Sequence, residues 1–167
     1  MTRRVYLSFH YAHDSQRVSQ VRQMGAVQGQ RLLTANSWEQ VRRGGTFAIR
    51  HWIGTQMRGK SCVVVLIGAH TSQRKWVNYE IRRGWKEGRG VVGVHIHGLR
   101  NLDGKRSAKE SNPFYGLKVK SVNRRLSSIA KAYNPPFSTS KLIYGHIAAN
   151  LGDWVEEAIE IRKQYPA

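Results

Sequence analysis

The sequence predicts an α/β domain built on an open, parallel sheet of about five strands with helices on both faces, in the strand order 2-1-3-4-5. Three observations carry that expectation. Cys62 to Ile67 is an uninterrupted aliphatic, β-branched run, the mark of a strand buried on both faces. Val91 to His97 is a second such run. Around and between them, short strand-like segments alternate with stretches whose apolar residues fall at helical spacing, the pattern of right-handed crossovers onto a parallel sheet.

Arg4 to His10 reads as the first strand, with Val5, Leu7 and Phe9 alternating with Tyr6 and Ser8, and Asp14 reads as the cap of a helix carrying Val18 and Val21. Met24 to Asn36 is irregular, and Gln30 to Leu33 is its candidate for a short second strand. In Phe47 to Met57, Ile49, Trp52, Ile53 and Met57 repeat at helical spacing, and Gly59 ends the helix. After the central strand Gly68 breaks the pattern, Thr71 and Ser72 offer N-caps, and an amphipathic helix begins near Lys75, stopped by Gly88 and Gly90. Asn101 to Asn112 is polar and reads as a surface loop. Ile129 to Tyr133 is a short edge strand ended by Asn134-Pro135-Pro136. Ile143, Ile147, Leu151, Val155 and Ile159 form a four-spaced stripe on a last helix, which Gly145 and Gly152 are expected to kink or divide. The strand order is the flavodoxin-like one, whose ligands bind outside the carboxyl ends of strands one and three. Those ends are Phe9-His10-Tyr11 and Gly68-Ala69-His70.

The 167 residues suffice for one domain, 1–167, around its own core. The single cysteine, Cys62, lies inside the central strand, which excludes a disulfide framework or a cysteine metal site. No apolar run approaches the ~18 residues of a membrane span, and the first residues lead directly into a strand rather than a signal segment. The expected location is the cytoplasm, with no membrane partner. A net charge of +18 fits either a generally solvated basic surface or an anionic partner, without choosing among nucleic acid, membrane and phosphate-bearing small molecules. The cations are dispersed rather than gathered in one helix or tail, so nucleic acid is possible but not favoured.

Several patterns fail on context. Gly54-Thr-Gln-Met-Arg-Gly59-Lys60-Ser61 spells a phosphate loop, but that loop needs a strand before it and a helix after it, and here the order is reversed. Gly88-Arg-Gly90-Val-Val-Gly93 likewise runs from a helix into a strand. A phospho-acceptor domain would need an Asp at the end of the central strand, where Gly68 stands. Ser8, His10 and Asp14 lack a nucleophile elbow. His95 and His97 have no third ligand spaced nearby and read as hydrogen-bonded structural groups, so no metal is expected.

Glu80 remains. Trp76 and Glu80 stand four apart and share a face of the helix after the central strand, at the expected ligand edge. One reading makes Trp76 core and Glu80 a surface acid paired with Arg83. The other makes Glu80 a site carboxylate, kept ionised by Arg74, Lys75, Arg82 and Arg83, which would also attract an anion.

With these residues in view, the chain resembles the TIR domains, and more closely the TIR-like family that includes the TIR subunit of the Thoeris anti-phage defence system. The resemblance rests on Val5-Tyr-Leu-Ser-Phe-His-Tyr11 with Asp14, on Trp52-Ile53 and Val63-Val-Val-Leu-Ile-Gly68, and above all on Arg74-Lys-Trp-Val-Asn-Tyr-Glu-Ile81. Asn112-Pro-Phe114, Tyr133-Asn-Pro-Pro136 and Asp153-Trp-Val-Glu-Glu157 extend it over nearly the whole chain. It implies a TIR-like, flavodoxin-like fold and an enzyme that cleaves NAD⁺ at the nicotinamide–ribose bond, with Glu80 catalytic and NAD⁺ a substrate rather than a cofactor. Ser8, Phe9, His10, Tyr11 and Trp76 would bind the substrate: Phe9 and Trp76 against nicotinamide, His10 and Tyr11 at the ribose or phosphates. The product would be ADP-ribose or a cyclic isomer. The cyclic isomer would be a signal made on a phage-derived trigger and read by a separate effector. Homo-oligomers are also in keeping with the family. Two other readings stay open: a non-catalytic TIR-like interaction module, and a basic nucleic-acid-binding domain.

Overall fold

The computed structural model describes residues 2–72 and 74–166. In chain order the elements are β1 (Val5–Ser8), α1 (Tyr11–Gln23), α2 (Ala35–Arg43), α3 (Gly45–Met57), β2 (Cys62–Ile67), α4 (Lys75–Lys86), β3 (Gly90–His95), β4 (Lys118–Val119), β5 (Arg124–Arg125), β6 (Ala132–Tyr133) and α5 (Ser140–Lys163). β1, β2, β3 and β6 lie side by side in that order, all parallel, while β4 and β5 form a separate antiparallel pair. β2 is the centre, pairing Val5 with Cys62 on one side and Ile67 with His95 on the other. Every residue of β1, β2 and β3 is buried, which is why β2 reads as an unbroken apolar run and β3 nearly so.

Helices cover both faces. On one, Val18 and Val21 of α1 and Ile143, Ile147, Leu151 and Val155 of α5 pack on Val64 and Leu66. On the other, Ile49, Ile53 and Met57 of α3 and Val77, Ile81 and Trp85 of α4 pack on Tyr6, Val63 and Val65. Side chains alternate across a strand, so one strand serves both cores.

The expected second strand at Gln30–Leu33 does not form. The chain instead makes one parallel bridge, Arg4 with Gln28, and then leaves the sheet. Val5 N–H donates to the Gln28 carbonyl at 2.9 Å. Further along, the Gln30 side chain replaces the backbone: its Oε1 accepts from Leu7 N–H at 2.8 Å and its Nε2 donates to the Leu7 carbonyl at 2.9 Å. A primary amide carries the same donor and acceptor as a peptide group, so the outer edge of β1 is satisfied without a strand.

Other boundaries also move. α1 begins at Tyr11 with His10 as a cap that makes no side-chain hydrogen bond, so Asp14 is not the cap but a buried residue inside the first turns. α4 starts after Arg74 without a side-chain cap, and Thr71 instead accepts from Gly68 N–H through its Oγ1 at 2.8 Å. Gly145 and Gly152 do not divide α5, which runs unbroken for 24 residues because its apolar stripe is buried along the sheet. The irregular segment Met24 to Asn36 leads into a helix not expected from the sequence, α2, which Thr34 caps by accepting from Ser37 N–H at 3.1 Å. The phosphate-loop lettering falls as its context implies, with Gly54 inside α3 and Gly59, at φ +74°, turning the chain toward β2. The surface loop 101–112 contains no helix or strand. No described helix is long and apolar enough to cross a membrane.

Candidate active site

Tyr6 and Ser8 are two apart on β1 and therefore share one face of the sheet, the face α4 covers. α4 places Glu80 directly over them. The Tyr6 phenol donates to Glu80 Oε2, and Ser8 Oγ donates to Oε1 at 2.7 Å. Both carboxyl oxygens are thus engaged by neutral hydroxyls and, among the described residues, neither by a cation. Glu80 is 8% exposed. Burial raises its pKa from 4.5 to about 7, and the two hydroxyls offset only part of that shift.

This corrects two expectations. Glu80 is not a surface acid paired with Arg83, which binds Glu87 at 3.2 Å and the Arg50 carbonyl at 3.1 Å instead. Nor do the neighbouring cations keep it ionised, because desolvation outweighs charges that project into water.

Above Glu80 opens a cavity of about 400 Å³. Glu80 and Tyr6 line it, with Phe9, His10 and Tyr11 from the end of β1 and the start of α1, Trp76 from α4, and Trp38 and Trp52 from α2 and α3. The Trp76 ring packs edge-on to Tyr79 with 5.5 Å between centroids and carries the Lys75 ammonium 5.1 Å from its own. Phe9 and Tyr11 are 6.0 Å apart. The Tyr11 hydroxyl donates to the Leu33 carbonyl, fixing the 24–34 segment against the cavity while the ring forms wall. Ser8, expected to bind substrate, is fully buried and does not line the cavity, and its hydroxyl is spent on Glu80. His10 stacks with His13 and meets His70 edge-on, and its Nδ1 is buried without a partner among the described residues. Burial, then the Arg74 charge, holds its pKa below the ordinary value, so it is a neutral imidazole at the cavity edge. Arg31, Arg42, Arg74 and Lys75 are the exposed cations of the lining, which is therefore acidic at the floor, aromatic on the walls and basic toward solvent.

Tyr6, Trp38, Arg42 and Gln30 were missed as site residues. Signals were present for three of them: Tyr6 shares the Ser8 face by alternation, and Thr34 as N-cap with Trp38 and Val41 three apart marks the helix that carries Trp38 and Arg42. His95 and His97 lie at the end of β3 with ring centroids 5.8 Å apart. Neither Nδ1 has a partner among the described residues, so the expected hydrogen bonding fails there.

The fold and site together define an α/β protein with helices on both faces of a parallel sheet, whose carboxylate is carried on α4 and held over the C-terminal end of β1. The family model for the "Thoeris protein ThsB, TIR-like domain" matches residues 6–101. The chain belongs to that family. It is 31% identical over 119 residues to the "Putative cyclic ADP-D-ribose synthase ThsB1" of Bacillus cereus (strain MSX-D12), a match covering 68% of this chain and 62% of the relative.

Proposed function

We propose that this protein is a TIR-like enzyme, acting as one domain over 1–167, that cleaves the nicotinamide–ribose bond of NAD⁺ and forms a cyclic ADP-ribose-type product. One observation carries the reading: a single carboxyl, Glu80, is buried at the floor of an aromatic, basic-rimmed cavity, its two oxygens oriented by Tyr6 and Ser8. The name of the Bacillus relative supports the product class.

The chemistry suits one carboxylate. When the C1′–N bond breaks, its electron pair leaves on nicotinamide, a neutral and stable molecule that needs no general acid. The remaining demand is to stabilise the positive charge growing on the ribose, and an ionised Glu80 in a low-dielectric pocket does so strongly. Attack on C1′ by a hydroxyl of the same dinucleotide closes a ring, and attack by water gives ADP-ribose. In both cases the attacking oxygen loses its proton to the carboxylate. Tyr6 and Ser8 are positioning residues. Trp76 and Phe9 supply apolar walls for the nicotinamide, and the basic rim offsets the pyrophosphate charge. In a defence setting the signal would be made on a phage-derived trigger and act on a separate effector.

The test is incubation with NAD⁺, with and without lysate of infected cells, followed by chromatography and mass analysis. Wild type should release nicotinamide together with a product of cyclic or linear ADP-ribose mass. Glu80→Gln should lose at least about a hundredfold in rate, the scale of a principal electrostatic group. A folded wild type that leaves NAD⁺ intact under both conditions would overturn the proposal, and equal turnover by the variant would remove Glu80 from it.

A further inference from the structure

α2 is an unusual helix for this fold, because none of its nine residues is buried although it carries a tryptophan. Trp38 spends its ring on the cavity instead. It lies 5.7 Å from Tyr11 at an interplanar angle of 31°, and 6.1 Å from Trp52 at 67°. With the Phe9–Tyr11 pair, this makes a continuous aromatic wall from the end of β1 across to α3. Arg42 stands one turn beyond Trp38 on the same helix face and lines the same cavity. Its ion pair with Glu39, 3.1 Å long, joins side chains that are 58% and 51% exposed, a weak contact readily exchanged for a phosphate.

We propose that Trp38 and Arg42 form an aromatic–cationic subsite for the adenosine diphosphate half of the dinucleotide, and that this subsite sets the ratio of cyclic to linear product. The inference rests on the NAD⁺ reading above and extends it to the second half of the substrate. A cavity of about 400 Å³ is sized for a whole drug-sized ligand rather than one ring. Its polarity has a direction: the acid lies at the floor, where the cationic nicotinamide riboside end would sit, and the cations lie toward solvent, where the pyrophosphate would emerge. A half-buried aromatic such as Trp38 beside a guanidinium is how proteins hold a base by stacking and its phosphate by charge. Ring closure needs the adenosine half held back over the ribose, and holding it there raises the effective concentration of the internal hydroxyl over water. In the cyclic path that hydroxyl forms the new C1′–O bond and gives its proton to Glu80. In the linear path water does the same. Nicotinamide carries away the electron pair of the broken bond in each.

Two measurements test this. In the turnover-free Glu80→Gln protein, calorimetry with ADP and with nicotinamide mononucleotide separates the halves of the ligand. Adding Trp38→Ala should weaken ADP on the order of tenfold, the scale of one lost base–aromatic stack. Arg42→Gln should weaken it several-fold, and both should leave nicotinamide mononucleotide within about twofold. In the active protein, Trp38→Ala should shift product toward linear ADP-ribose while Trp38→Phe keeps the cyclic share. Trp38 is outside the buried core, so the melting midpoint should hold; should Trp38→Ala lower it, Trp38→Phe and Arg42→Gln carry the test. ADP affinity unchanged in both variants, or a wild type yielding linear product alone, overturns the proposal while leaving NAD⁺ cleavage standing. A Glu80→Gln protein that binds neither half overturns the nucleotide reading and this subsite with it.

Discussion

The two faces of the sheet each bury a carboxylate near the C-terminal ends of the strands, and they treat it in opposite ways. On the α1/α5 face, Asp14 meets a cation: Arg17 Nη1 donates to its Oδ1 at 3.2 Å, and the pair is 2% and 0% exposed. Arg17 also donates to the carbonyls of Leu99 and Lys105, at 2.8 and 3.0 Å, stitching α1 to the chain beyond β3. The fit is close enough that a Cβ on Gly68 would lie 2.0 Å from Asp14 Oδ2. On the α3/α4 face, Glu80 has only hydroxyls and a cavity among the described residues. A buried charge with a partner is structural cement, whereas a buried carboxyl without one stores free energy that a cationic ligand can release.

Breaking the cement should have the largest effect. Asp14→Asn leaves the Arg17 guanidinium buried without its counter-charge and should destabilise the fold by about 3–5 kcal/mol in denaturant unfolding. A loss under 1 kcal/mol would mean that water reaches the pair and the contrast between the faces is false.

Glu80→Gln should move stability the other way. A carboxyl whose pKa is raised by folding, here from 4.5 to about 7, favours the fold while protonated and withdraws that contribution as pH rises through 7. The amide never ionises. The variant should therefore exceed wild type by up to about 3 kcal/mol near pH 8, with the difference shrinking through pH 7 and absent near pH 4. A gain independent of pH would show that Glu80 is not the group responsible.

The smallest effect sharpens how Glu80 is tuned. Tyr6→Phe removes a hydrogen bond that lowers the Glu80 pKa, so the acid limb of kcat/KM, expected near pH 7 in wild type, should move upward. The stability cost should be about 1 kcal/mol. Loss of activity with an unmoved limb would make Tyr6 a packing residue only.

The strands were legible because burial on both faces forces unbroken apolar runs, and Cys62–Ile67 and Gly90–His95 fall where such runs stand. Trp76 and Glu80 were legible as a pair because helical spacing alone puts them on one face. Gln30 was not, since nothing local marks a glutamine whose amide will complete the edge of a strand 23 residues away. Asp14 misled for a related reason: an acid near a helix start is a good cap, and only the depth of α1 against Gly68 turns it inward.

What the sequence determined by itself was the alternation of elements, the parallel sheet and the helix that carries the carboxyl, because these follow from periodicity and local steric preference. Whether Glu80 is ionised, which hydroxyls hold it and which aromatics wall its cavity were decided only by tertiary structure. Desolvation and hydrogen bonding depend on what distant segments bring to one point, and Tyr6, 74 residues from Glu80, arrives there only when β1 pairs with β2 beneath α4.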